Sequence, residues 1–142
     1  MNKKQLEVAG CMIYACEGTK LRRDNRGINT FIYAVEVTNS TPEVIALFAR
    51  FLREIIEVDE IKLRGQLFIY EEMDEYCIKI FWSEVSGIPL SQFQKTIVFA
   101  TKTGKFKPSK YGTFKLRYSS KRDFLEIQRR IANIWRDARA VE

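Results

Sequence analysis

The sequence predicts an α+β domain. Apolar residues recur at helical spacing in four segments, alternate at strand spacing in four others, and the two kinds of segment interleave along the 142 residues. A chain of this length can bury roughly 68–70% of its unfolded surface around one core without disulfides, so residues 1–142 read as a single domain. Apolar residues make up 46% of the chain and charged residues 30%, ordinary values that point neither to a disordered chain nor to a membrane protein.

Residues 4–16 form the first helix, apolar around much of its circumference after Val8, as helices buried on more than one side are, and Glu17-Gly18 stops it. A basic, polar loop with Arg22, Arg23, Asn25, Arg26 and Gly27 follows. Phe31, Tyr33, Val35 and Val37 then alternate with Thr30, Ala34, Glu36 and Thr38, the pattern of a strand with one buried face. The second helix starts at Ser40-Thr41-Pro42-Glu43, with a capping box from Ser40 to Glu43 and Pro42 in the first turn. It runs to about Val58, with Val44, Phe48, Phe51, Leu52 and Ile55 on one stripe and Arg50, Arg53, Glu54 and Glu57 on the other.

Ile61, Leu63, Leu67 and Ile69, alternating with Lys62, Arg64, Gln66 and Phe68, make a second strand. Residues 74–86 are a third helix with Cys77, Phe81 and Val85 in line, ended by Gly87 and Pro89, and residues 90–94 are a short connector. Residues 96–101 and 112–118 read as two strands joined as a hairpin by a loop that contains Gly104, Pro108 and Ser109. Ser120 caps a last helix whose buried stripe is Phe124, Ile127, Ile131 and Ile134.

The net charge of +6 is local in origin. Residues 95–122 carry nine cations (Lys95, Lys102, Lys105, Lys107, Lys110, Lys115, Arg117, Lys121 and Arg122) and no acid, so the rest of the chain holds 15 cations against 18 acids. Such a segment attracts polyanions. Strand parity adds geometry: Thr113, Lys115 and Arg117 share one face opposite Phe114, Leu116 and Tyr118, and Lys62, Arg64 and Gln66 share a face of the second strand. Arginine and glutamine are the main readers of base edges in the major groove, and a β-ribbon fits that groove. Lys102, Lys105, Lys107 and Lys110, on the loop, suit phosphate contacts. Duplex DNA is therefore the expected partner of this face. Lysine on a solvent-facing strand is also a common guard against aggregation, but that accounts poorly for the absence of acid from the whole segment.

The chain has no histidine, which excludes Ser-His and Cys-His dyads and imidazole metal sites. The three cysteines are an odd number, and Cys11 and Cys16 do not share a helix face, so buried reduced thiols in a cytoplasmic protein are expected. Val8-Ala9-Gly10-Cys11 imitates a lipoprotein cleavage box, but too little apolar chain precedes it and Glu7 interrupts it; no run is long enough to span a bilayer. Glu17 falls where a helix exposes its last carbonyls, and a carboxylate beside backbone oxygens suits a hard cation such as Mg²⁺. Two such helix ends on a twofold axis would give a two-carboxylate, metal-assisted arrangement for phosphodiester hydrolysis.

Residues 10–18, GCMIYACEG, followed by a strand and then VTNSTPEVIALFARFL, resemble the LAGLIDADG homing-endonuclease family, and the order of elements resembles that family's αββαββα domain with an antiparallel four-stranded sheet. The resemblance implies a homodimer whose motif helices meet at the interface, where Gly10, Cys11, Ala15 and Cys16 are small enough for close contact. It further implies that Glu17 is the acid that binds catalytic Mg²⁺, that Gly18 ends the motif, that Lys95 is an assisting lysine, and that the cationic sheet face is the DNA saddle. Relatives of the family include transcription regulators that kept the fold without cleavage. The expectation is thus a homodimeric DNA-binding protein, either a site-specific endonuclease or a non-catalytic regulator or accessory module, with an interaction domain for an acidic protein or membrane surface as the third reading.

Overall fold

The computed structural model describes residues 1–101 and 109–140. Helix α1 (Lys3–Glu17) opens with a capping box in which Asn2 and Gln5 each accept from the other's backbone N–H. Strands β1 (Arg22–Arg23) and β2 (Phe31–Ile32) pair as a short antiparallel hairpin that leads into β3 (Ala34–Asn39). Helix α2 (Pro42–Phe51) continues as a π-helical turn (Leu52–Ile56), and a 3₁₀ turn (Glu60–Lys62) precedes β4 (Arg64–Tyr70). Helix α3 (Glu75–Ser86), a second 3₁₀ turn (Leu90–Gln92), β5 (Ile97–Phe99), β6 (Thr113–Ser119) and α4 (Lys121–Arg139) complete the chain.

The α+β class holds, and the main sheet is mixed rather than antiparallel. Its order is β3-β6-β4-β5, with β6 antiparallel to both neighbours and β5 parallel to β4. Helix α3 is the reason: a helical crossover returns the chain to the end where β4 began, so the next strand runs the same way. Consequently β5 and β6 do not form the expected hairpin, because β4 lies between them.

One face of the sheet is the core. Val35, Val37, Leu67, Ile69, Phe114, Leu116 and Tyr118 point into a cluster with Leu6, Cys11 and Tyr14 of α1, Phe48 and Phe51 of α2, Ile78 and Trp82 of α3, and Phe124, Ile127 and Ile131 of α4. Trp82 stacks on Phe114 at 5.1 Å between ring centroids and donates from Nε1 to the Tyr111 carbonyl, so α3 is keyed to β6 by packing and by a hydrogen bond.

Several element details differ from the sequence reading. Thr41, not Ser40, is the residue before α2, no side chain caps that end, and the capping box is absent. The π turn inserts a residue into the helical ladder, so burial passes from Phe48 and Leu52 to Ile56, and Ile55 is only half-buried. In α3 the buried line is Ile78 and Trp82, one residue beyond the expected stripe, and Cys77 is exposed. Cys16 is exposed as well, leaving Cys11 as the buried thiol. Ile61 and Lys62 belong to the 3₁₀ turn, which Asp59 caps by accepting from the Ile61 N–H, so the strand starts at Arg64, three residues later than its alternation suggests. Among the described residues, no helix is long and apolar enough to cross a membrane.

Candidate nucleic-acid interface

The sheet face opposite the core carries the side chains that parity grouped. Register places Glu36, Arg117 and Arg64 in one row across β3, β6 and β4, and Thr38, Lys115 and Gln66 in the next. Lys115 and Arg117 remain 24% and 33% exposed, so solvent reaches both rows. Lys62, although outside the strand, joins Arg64, Gln94, Arg117, Tyr118 and Ser119 around an open cleft of about 300 Å³. Further along the same face, Phe68 and Phe99 stack across β4 and β5 at 6.5 Å, and the Lys115 ammonium lies 5.3 Å from the Phe68 ring centre.

The cations are less free than a charge count implies. Arg64 donates from Nη1 to the Ile61 carbonyl at 2.7 Å and the Leu63 carbonyl at 2.8 Å, which folds its guanidinium back over the preceding turn. Gln66 donates from Nε2 to the Lys95 carbonyl at 2.9 Å. Glu36, only 5% exposed, receives Arg22 at 2.8 Å, Lys115 at 3.6 Å and Arg117 at 4.0 Å.

Neither Glu36 nor Arg22 was singled out by the sequence reading. Glu36 alternates in its strand like any surface acid, and the cations that surround it come from β1 and β6; only register joins them. Arg22 and Arg23 read as loop residues, yet they form β1, from which the Arg22 side chain reaches Glu36 on the open face. Lys110 sits in the turn before β6 with its ammonium 5.2 Å from the Tyr111 ring centre, and that ring stacks on Phe81 of α3 at 3.7 Å. It is therefore held beside α3 and apart from the two rows. Lys102, Lys105 and Lys107 lie outside the described residues.

Glu17 is the last residue of α1 and is exposed. Gly18 follows with extended backbone, φ −78°, so its glycine is not required by a left-handed turn. Space requires it: a Cβ would stand 2.5 Å from both the Tyr14 ring and the Tyr14 carbonyl oxygen. The Tyr14 hydroxyl donates to the Thr19 carbonyl at 2.6 Å, and Gly18 bridges to Val37, which ties the chain after Glu17 to the outer edge of β3.

Two carbonyls near Glu17 accept hydrogen bonds, that of Tyr14 from the Gly18 N–H and that of Ala15 from the Lys20 ammonium, both at 2.8 Å. A cation at a helix C-terminus is favoured by the macrodipole, and here it is a lysine of the same chain. Lys95 is not near Glu17. It lies beside β4, whereas Glu17 lies beyond the far edge of β3, four strand spacings or roughly 19 Å across the sheet. Gly10 and Cys11 are buried within the chain rather than offered to a partner, and a Cβ on Gly10 would stand 2.1 Å from Phe51 of α2. Ala15 and Cys16 keep some exposure.

No family model matches the chain, and no curated protein matches it.

Proposed function

We propose that the protein binds duplex DNA through the open face of its mixed sheet. The observation that carries this reading is the placement of Arg64, Gln66, Lys115 and Arg117 in two adjacent rows on two paired strands, on the face away from the core. Such a pair of strands has the width of a ribbon that enters the major groove, and Arg and Gln there offer the donors that guanine and adenine edges accept. Lys62 and Arg22 flank the rows and suit phosphate contacts, which set register without reading sequence. The expected measurement is fluorescence anisotropy on a mixed-sequence duplex, with log K falling linearly with log salt by about 0.9 per phosphate neutralised. Affinity indifferent to salt would remove the reading.

The nuclease reading and the homodimer belong to the resemblance with LAGLIDADG endonucleases. Within one chain Glu17 is a single exposed carboxylate at the end of α1, so the two-carboxylate Mg²⁺ arrangement would need the Glu17 of a second chain. Among the described residues, no three Cys, Asp or Glu side chains come together as a metal cage. The two rows on β4 and β6 support binding by themselves, without a hydrolytic step. A plasmid library incubated with Mg²⁺ separates the alternatives: cleavage by the wild type and none by Glu17→Gln would establish a nuclease that depends on Glu17, whereas binding without cleavage leaves a regulator or accessory module.

A further inference from the structure

The buried acid on the open face calls for an explanation. A carboxylate withdrawn from water costs free energy unless cations and hydrogen bonds replace its hydration, and Glu36 is surrounded by three cations from two other strands. Arg22 makes a hydrogen bond to Oε1 at 2.8 Å, whereas Lys115 at 3.6 Å and Arg117 at 4.0 Å are held by charge without a hydrogen bond. Their donors therefore stay available to another oxygen acceptor while the ion pairs persist. Arg64, in the same row, differs: its guanidinium rests on backbone carbonyls.

We infer that Glu36 is a positioning residue of this face, whose buried carboxylate gathers Arg22 of β1 with Lys115 and Arg117 of β6 and cancels one of their charges, restraining indiscriminate binding of polyanions. The inference rests on the nucleic-acid reading above. With the carboxylate in place the cluster carries a net charge of +2, from three cations and one acid; without it the same cations would stand uncompensated at +3. A more positive face binds any phosphodiester backbone more tightly at low salt and releases more counterions in doing so.

Glu36→Gln keeps the size of the side chain and one acceptor oxygen for Arg22, and removes its charge. Its complex with a mixed-sequence duplex is expected to be several-fold tighter than that of the wild type at low salt, with the slope of log K against log salt steeper by up to about 0.9. Glu36→Asp, one methylene shorter and still charged, is expected to keep the wild-type slope. A role confined to stability would lower the melting temperature of the Gln variant and leave the slope unchanged, and that result overturns the inference. Should the Gln variant not fold, Lys115→Met and Arg64→Met provide the test. Losing Lys115 is expected to flatten the slope by clearly less than losing Arg64, because Glu36 already offsets part of the Lys115 charge; equal losses overturn the inference. Wild-type protein that binds no duplex at low salt removes this inference together with the reading beneath it, whereas wild-type binding with an unchanged Gln slope removes this inference alone.

Discussion

Gly10 of α1 packs directly against the Phe51 ring of α2. Phe51 stands 2.1 Å from the position of a Cβ on Gly10, so Gly10→Ala must push the helices apart or turn the Phe51 ring. Overpacking of this kind costs about 1–3 kcal/mol and is expected as a lower urea midpoint at unchanged m; a midpoint equal to the wild type would contradict so close a contact. The neighbouring buried acids predict a pH dependence. Burial pushes the Cys11 thiol from 9.0 up to about 11 and the Tyr14 phenol from 10.0 up to about 12. Burial and the adjacent Asp123 carboxylate also raise Tyr118. All three are neutral when protonated, so the folded state keeps protons that the unfolded chain gives up at lower pH. Their contribution to stability is whole below the unfolded values and declines as pH rises through the folded ones. The urea midpoint is expected to hold from pH 7 to 8 and to fall above about pH 9, the thiol acting first. Cys11→Ala should move the onset upward by about one pH unit; a wild-type midpoint constant to pH 11 would show that these groups are not buried in their neutral forms.

At the scale of elements, α2 shows how a small insertion redirects a helix. The π turn ends at Glu57, whose φ of 61° is left-handed, and the Val58 N–H donates back to the Leu52 carbonyl at 3.0 Å. A non-glycine residue there is disfavoured by roughly 1–2 kcal/mol, and glycine returns part of that through its greater loss of chain entropy. Glu57→Gly is expected to stabilise the protein by a few tenths to about 1 kcal/mol, measured as a raised melting temperature; a lowered one would mean that the Glu57 side chain supports the turn. The sequence revealed this helix through its apolar period and Pro42, and α4 through Ser120, Phe124, Ile127 and Ile131. It did not reveal the π turn, because one extra residue leaves a run such as Leu52-Arg53-Glu54-Ile55-Ile56 equally readable in two registers. The start of β4 was misread for a related reason: Ile61 and Leu63 keep a two-residue alternation that a 3₁₀ turn, capped by Asp59, interrupts without altering the pattern.

Across the whole molecule, α4 links the last strand back to the first half of the chain. Its Phe124 meets Tyr14 of α1 at 6.4 Å and Tyr33, beside β3, at 5.8 Å, while Arg130 pairs with Glu7 of α1. Ending the chain after Ser120 would remove Phe124 from the Tyr14 and Tyr33 rings. Such a truncation is expected to abolish a cooperative thermal transition and to make β3 accessible to protease; a cooperative melt would show that the sheet and the first three helices suffice as a core. The sheet order matters to function at this scale too. Because β6 is inserted between β3 and β4, Lys115 and Arg117 lie between the Glu36 row partner on one side and Arg64 and Gln66 on the other.

The sequence by itself determined the α+β class, the four helices, the parity of the strands and the concentration of positive charge in residues 95–122. These are local properties, set by side-chain period and composition, and local physics suffices to read them. Only the tertiary structure decided that β5 runs parallel to β4, that β5 and β6 are not neighbours, that Glu17 and Lys95 lie on opposite sides of the sheet, and that Glu36 sits beneath the cations. The physical reason is that strand pairing joins residues far apart in the chain, and period-two alternation states which face a side chain takes but not which strand lies beside it. The nine cations were legible in the sequence, whereas the acid that sits among three cations on the folded face and offsets one of their charges became legible only once β3 lay against β6.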